Sequence, residues 1–391
     1  MNYILFDGPE RENLLPLTFT RPVAEIRTGI LTIKEKWEHI LKTNVSFKTQ
    51  DYLQKKYPTV VSDDNILING SVFPNDELVD QIDNLHAGQV LKNGESEIAL
   101  RLSKDDTVDY NSDDYEVVNS NIKIVKINNT WDIFTLNPQA IVDDLFMITQ
   151  DRSSNSLSNT NFIIGDPDKI FIEEGAKAEY TFLNTTDGPI YIGKNAEIME
   201  GSKIRGPFAL CEQSVVKMDA KIYSGTTIGP YSKVGGEINN SVILGYSNKG
   251  HDGFLGNSVI GEWCNLGADT NTSNLKNTYD FVKLWSYNKN TFVNTGLQFC
   301  GLIMGDHSKS GINTMFNTGT MVGVSSNIFG SGYQRNFVPS FMWGGVHGLK
   351  FYNLNKSIEV AEAVFSRRDR EFDQCEKDIF KYVYKLTHGE N

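Results

Sequence analysis

Between about residues 160 and 345, aliphatic side chains recur at every sixth position. From Ile192 the series runs through Ile198, Ile204, Leu210, Val216, Ile222, Ile228 and Val234. Four residues after each anchor the side chain is mostly small, as at Ala196, Ser202, Ser214, Ala220, Thr226 and Ser232; Phe208 alone breaks that column. The phase returns at Phe254, Ile260 and Leu266, and again from Met304 through Ser310, Phe316, Val322 and Ile328. A step of six matches neither the helical period nor a lone strand followed by an open loop. It fits short strands joined by tight corners, three to a coil of about 18 residues, with stacked coils burying one continuous column. Gly after many anchors (Gly193, Gly229, Gly261, Gly305) suits corners that need a positive φ or have no room for a Cβ. The region is expected to be a parallel β-helix; other all-β solenoids have longer and less regular coils.

Two stretches break the step, and insertions in solenoids fall on loops. One is 235–253; the other, 271–300, is polar and aromatic and should project as an arm over a neighbouring coil or subunit. Residues 1–150 carry a different pattern. Ile30, Ile33, Trp37, Ile40 and Leu41 have helical spacing, and residues 65–69 read as a buried strand. Pro74-Asn75-Asp76-Glu77 opens a helix with acids in its first turn, and Asn93-Gly94 marks a hairpin. This unit is therefore α/β, joined to the solenoid by a helix over 131–149. At the far end, 352–388 has helical spacing (Ile358, Ala361, Phe365, Phe372, Ile379, Val383) and is expected to form a C-terminal helix. Its charges, Arg367 to Glu371, read as a solvated face.

Charge narrows the partners. There are 37 basic against 49 acidic residues, a net charge of −12, with no basic run, which disfavours nucleic acid and anionic lipid. No stretch of 18 apolar residues occurs, so no membrane span is expected. The opening residues have no basic region or long apolar core, and read as a strand, not a signal peptide. Cys211, Cys264, Cys300 and Cys375 lie far apart and read as free thiols of a cytoplasmic protein. Histidines are scattered, without the clustered spacing of a zinc-dependent carbonic anhydrase, and no metal site is expected. His307 lies inside a regular coil and reads as structural.

A hexapeptide prism behind an α/β unit resembles the bifunctional bacterial N-acetylglucosamine-1-phosphate uridylyltransferase/glucosamine-1-phosphate acetyltransferase family. That family carries a catalytic His, a Leu-Gly, an Asn-Ile-Gly-Ala-Gly stretch and an Asn-Tyr. Here the order is His251, Leu255-Gly256, Asn265-Leu266-Gly267-Ala268-Asp269 and Asn274-Leu275, with both His-to-Asn separations matching without gaps. The resemblance implies a left-handed β-helix and a homotrimer with shared sites. It also implies acetyl-CoA as co-substrate and a small sugar, sugar phosphate or nucleotide sugar as acceptor. His251 would be the general base, and Asn265 and Asn274 would hold the acceptor. A histidine titrating near neutrality suits removal of a proton from an attacking amine or hydroxyl. Phe254, Asn239 and Leu275 stand where the family has a tyrosine, a basic residue and a second tyrosine, so the acceptor can differ. For His251 the alternative is a turn histidine between Gly250 and Asp252.

The front unit resembles the nucleotidyltransferase half, through residues 3–6, Leu14-Leu15-Pro16-Leu17-Thr18 and Thr20-Arg21-Pro22. Its phosphate loop reads Gly8-Pro9-Glu10-Arg11-Glu12-Asn13, placing acids where backbone amides should cradle a triphosphate. Val23 replaces the expected lysine, and Gly70-Ser71 replaces the Gly-Asp that would hold Mg²⁺. The unit is also short for an active enzyme of that type. It is expected to be related in fold and degenerate in chemistry; Mg²⁺ would be needed only if it were active. Arg11 and Arg21 remain nucleotide-binding candidates, with surface salt bridges as the other reading. Three functions stay open: acyltransferase, nucleotidyltransferase, and noncatalytic binding or scaffold protein.

Overall fold

A computed structural model describes residues 1–108 and 111–389 of the chain. It divides into two compact units. The first holds most of residues 1–129; the second holds 130–391 with two short stretches, 15–19 and 27–30.

The first unit is a six-stranded mixed sheet with strand order β2-β1-β3-β5-β4-β6. Its strands are β1 (Asn2–Phe6), β2 (Ser46–Lys48), β3 (Asp64–Asn69), β4 (Gln89–Asn93), β5 (Ser96–Ser103) and β6 (Glu116–Asn119). Helices α1 (Glu10–Asn13), α2 (Ile33–Leu41), α3 (Asp51–Gln54), α4 (Asp76–Asp83) and α5 (Lys104–Val108) join them. β1 pairs with β2 and β3 in parallel, while β5 runs antiparallel to β3 and β4. Three boundaries have a clear local cause. Thr32 and Glu35 form a reciprocal capping box at the start of α2, and the Asn75 side chain accepts from Leu78 N at 2.9 Å to start α4. Asn93-Gly94 makes the expected hairpin, with Gly94 at φ +57°. Ile4, Leu67, Val90, Leu100 and Leu102 are buried on one face of the sheet.

The second unit is a parallel β-solenoid with three faces. Sheets of six, nine and ten strands run along it, and a two-stranded pair, Asn271–Thr272 with Met315–Phe316, completes later coils. Ile192, Leu210 and Ile228 stack one above the other on the nine-stranded face. The column continues through Ile243 and Ile260 to Met304 and Val322, all essentially inaccessible to solvent. Glycines after the anchors serve by lacking a Cβ, not by positive φ. A Cβ at Gly229 would lie 2.0 Å from the Leu244 carbonyl oxygen of the next coil. Positive φ falls two residues later, on Tyr231, Trp263 and His307 among others. This brings Tyr231, Tyr246, Trp263 and His307 into a stack of rings along one corner, with centroids 5.0, 4.3 and 6.4 Å apart.

Residues 235–253 are not an insertion. They form coil strands Glu237–Asn239, Val242–Gly245 and Asn248–Lys249, in register with neighbours on all three faces, through shortened corners. The shortening shifts the phase, so Leu255, fully buried, is the inward residue, and Phe254 is half-buried. The second break is a real excursion. Its hairpin, Lys283–Ser286 with Thr291–Asn294, folds back over later coils, with Trp285 stacked on Phe337 at 4.3 Å. At the end of the solenoid, Met342–Gly345 turns into the antiparallel Gly348–Phe351.

Helix α6 (Asp132–Thr149) forms as expected and packs within the second unit. Its buried polar side chains are all used. Asn137 accepts from Gly29 N at 2.6 Å and donates to Gly225 O at 2.8 Å, while Asp144 accepts from Ile30 N at 2.7 Å. The C-terminal segment is helical but in two pieces, α7 (Leu354–Ser366) and α8 (Gln374–His388). A single straight helix would not bring Phe365 and Phe372 together. The break, with Asp369 at φ +54°, sets their rings 5.1 Å apart. Phe365 stacks on Trp263 at 3.9 Å, and Phe380 meets His307 edge-on at 4.8 Å. His307 is accordingly buried in an aromatic cluster, as a structural residue would be.

Ile228 lies in the middle of the aliphatic column with no exposed surface. Ile228→Ala should lower unfolding free energy by about 3 kcal/mol in urea denaturation, since rigid coils cannot close the cavity. A loss under about 1 kcal/mol would mean the column is not close-packed there.

Candidate active site

The site arises where the coils shorten. Val234 is followed on the inward column of the ten-stranded face by Lys249, and Lys249 by Leu266. A lysine thus occupies a slot that is aliphatic in neighbouring coils. It is 3% exposed; its Nζ donates to Gly235 O at 3.1 Å and to His251 O at 2.7 Å. Burial pushes its pKa down to about 8, against a partial upward pull from Asp252 and Asp269. The ammonium therefore ties down the turn at 250–253 from inside, and His251 stands exposed on that turn.

Outward residues of the same face form a ladder, Lys233 beside Asn248, Asn248 beside Asn265, and Asn265 beside Lys309. With the end of α7 they enclose a cleft of about 720 Å³, lined by His251, Asn265, Lys217, Lys233, Lys309, Arg367 and Arg368 among others. Arg368 Nη2 reaches Asn248 Oδ1 at 3.3 Å, which ties the end of α7 to the floor. Lys233 is pushed down by burial, then by repulsion from Arg368, Lys217 and Arg367. Arg368 is lowered in the same way by burial and Arg367. The floor includes Cys264, whose thiol burial pushes up to about 12, so it is no nucleophile.

The cleft brings together His251 and Asn265 but not Asn274, whose amide is absent from the lining and donates to Asn257 Oδ1 at 2.8 Å. The His251 imidazole makes no hydrogen bond among the described residues. Arg367 and Arg368, read from the sequence as a solvated face, instead line the cleft. Lys249 was missed because its inward placement depends on corner lengths that the six-residue step hides. Lys217, Lys233 and Lys309 left no local signal, because each sits on a separate coil.

In the first unit, the Gly8–Asn13 segment carries α1, and its side chains fill the space that a phosphate would need. Glu10, 6% exposed, meets Lys126 Nζ at 2.7 Å and Asn69 Nδ2 at 3.3 Å. Arg11 is buried, not on the surface, and its guanidinium meets Glu12 at 2.6 Å, Tyr52 Oη at 2.8 Å and Asp7 at 3.6 Å. Arg21 is buried as well. Ser71 turns its hydroxyl to Asn69 Oδ1 at 2.8 Å. Asp7 is enclosed by Val23 N, Thr49 and Arg11, and its burial raises its pKa. These residues do not fit a Mg²⁺–triphosphate complex, which needs free carboxylates and open backbone amides.

The molecule is a hexapeptide-repeat β-solenoid preceded in sequence by an α/β unit. Residues 3–153 match the model of the sugar nucleotidyl transferase family. The chain's curated relatives include bifunctional nucleotidyltransferase/acetyltransferases, to which it is similar over part of its length. It is 27% identical over 194 residues to the bifunctional protein GlmU of a Cyanothece species, covering 43% of this chain and 41% of that one. It is 33% identical over 118 residues to the GlmU of Methanocaldococcus jannaschii, covering 30% and 26%. A bifunctional sugar-1-phosphate nucleotidylyltransferase/acetyltransferase of Sulfurisphaera tokodaii matches at 27% over 144 residues, 36% of this chain and 35% of that one. The matches thus span less than half of these relatives. Among solved structures, the UDP-N-acetylglucosamine acyltransferase of Francisella novicida aligns over 59% of this chain and 76% of its own, at 16% identity and a TM-score of 0.29. No helix among the described residues is long and apolar enough to cross a membrane.

Lys249 offers a direct check. Its folded pKa lies below the unfolded value of 10.5, so between pH 8 and 10.5 the unfolded chain binds more protons. Stability should therefore rise with pH across that window, by up to about 3 kcal/mol, and be unaffected by this group below it. In Lys249→Met that contribution should vanish, so wild-type stability minus variant stability should increase from pH 8 to 10.5. An unchanging gap in parallel denaturation series would place the ammonium in water.

Proposed function

We propose that this chain is an acyltransferase that moves an acyl group, acetyl from acetyl-CoA first among the candidates, onto an amine or hydroxyl of a sugar, sugar phosphate or nucleotide sugar. The observation that carries the reading is the shared cleft. His251 stands at its edge on a turn anchored from within, beside Asn265 on the floor and a surround of cations. The thioester supplies the activated carbonyl. His251 takes the proton of the attacking acceptor as its bond to the acyl carbon forms; the carbon–sulfur bond then breaks, and the leaving sulfur takes that proton from His251 to depart as the thiol of CoA. Asn265 offers both donor and acceptor to sugar hydroxyls without adding charge. The names of the relatives, several of them bifunctional with an acetyltransferase activity, support this class.

Nucleotidyl transfer is the weaker reading, because Glu10 and Lys126 fill the loop that should hold the triphosphate and Arg11 is engaged by its own carboxylates. Asn274, on another part of the coil, would touch the acceptor only if the acceptor bridged to a second copy. A homotrimer with shared sites is consistent with this, and with a His251 that lacks an orienting partner in one chain. A CoA thioester and four cysteines in the thiol state both suit a cytoplasmic setting.

His251→Ala should lower acetyl transfer by about 10²-fold or more, with the thermal midpoint essentially unchanged because the side chain is exposed. Wild-type activity in the variant would remove His251 from the mechanism, and absence of acyl transfer to any acceptor by wild type would favour a binding protein. Sedimentation equilibrium should give a mass near three times 43.9 kDa; a concentration-independent monomer rejects shared sites.

A further inference from the structure

The five cations of the cleft ask for a ligand of their own. Lys217, Lys233 and Lys309 come from three coils, and Arg367 and Arg368 from the end of α7. No carboxylate lines the cleft, and none of the five forms an ion pair among the described residues. This is an unusual concentration in a chain of net charge −12. Like charges held together in a partly desolvated space repel; burial lowers the pKa values of Lys233 and Arg368 most, and the neighbouring cations lower them further. Such a cluster is stable only because other contacts hold it. Phe365 is stacked on Trp263, and Arg370 lies 4.7 Å over the Tyr246 ring, on either side of the arginine pair. A polyanion would relieve it.

We propose that the end of α7 and the ten-stranded face form a clamp for the diphosphate of an organic ligand, gripped by Arg367 and Arg368 from above and Lys217, Lys233 and Lys309 from below. Two linked phosphates supply the charge, and about 720 Å³ leaves room for the organic groups they carry. Guanidinium groups bind phosphate oxygens in a bidentate fork, which lysines cannot do. Ligand binding therefore also pins α7 to the solenoid. What the ligand does there rests on the acyl-transfer reading; that it binds does not.

The test is calorimetric titration of the full-length protein with inorganic pyrophosphate, with sulfate at matched ionic strength as the comparison. Pyrophosphate should bind at least tenfold more tightly than sulfate, and the double variant R367E/R368E should lose at least tenfold in affinity. Arg205→Glu, which changes an exposed charge on the six-stranded face, should lose little. If the double variant fails to fold, Lys217→Glu serves in its place. Equal affinity for sulfate, or an equal loss in the Arg205 variant, overturns the clamp as nonspecific charge attraction. Displacement of pyrophosphate by CoA identifies the diphosphate as the donor's, and displacement by UDP-N-acetylglucosamine identifies it as the acceptor's; displacement by neither overturns the proposal. Pyrophosphate binding by a wild-type protein that transfers no acyl group to any acceptor would leave the clamp standing and the acyltransferase reading fallen.

Discussion

Every coil of the solenoid must present its strands to the coils on either side at a fixed register, because their backbone hydrogen bonds have no other partner. Gly193 N reaches Leu210 O, Cys211 N reaches Ile228 O and Gly229 N reaches Ile243 O, all between 2.7 and 2.8 Å. An unpaired buried backbone group would cost more than most side-chain substitutions. Coil length can therefore change only at corners. Such changes shape the cleft here: two shortened turns place Lys249 inward and leave His251 on the rim.

The same constraint aligns side chains on the outside. Residues one coil apart lie in a row, so Tyr231, Tyr246, Trp263 and His307 stack although they are far apart in sequence. The C-terminal helices use that row as a docking strip, Phe365 against Trp263 and Phe380 against His307. Their break at 367–373 is thus a matter of packing, and it is what swings Arg367 and Arg368 over the cleft.

How far this was legible in the sequence follows from the range of each interaction. The six-residue step exposed the solenoid because each repeat states its own inward residue. Thr32 with Glu35, Asn75 and Asn93-Gly94 act within a few positions, so helices and a hairpin in the first unit could be read directly. The spacing of His251 and Asn265 pointed at one site, and both line it. What escaped notice depends on coil geometry. Residues 235–253 looked like an insertion because corners of uneven length hide the phase, and with it the burial of Lys249. The charges of Arg367 and Arg368 looked solvated because nothing local shows what a helix end will face. Arg11 and Arg21 looked superficial because their burial depends on the fold of the loop around them.

The turn from Met342–Gly345 into Gly348–Phe351 closes the row of parallel strands with one running the other way. A solenoid that ended on a bare parallel strand would offer its last edge to the first coil of another molecule, and copies could join end to end without limit. The reversed strand presents the wrong polarity for that union. On the ten-stranded face this small hairpin therefore stands against end-to-end growth.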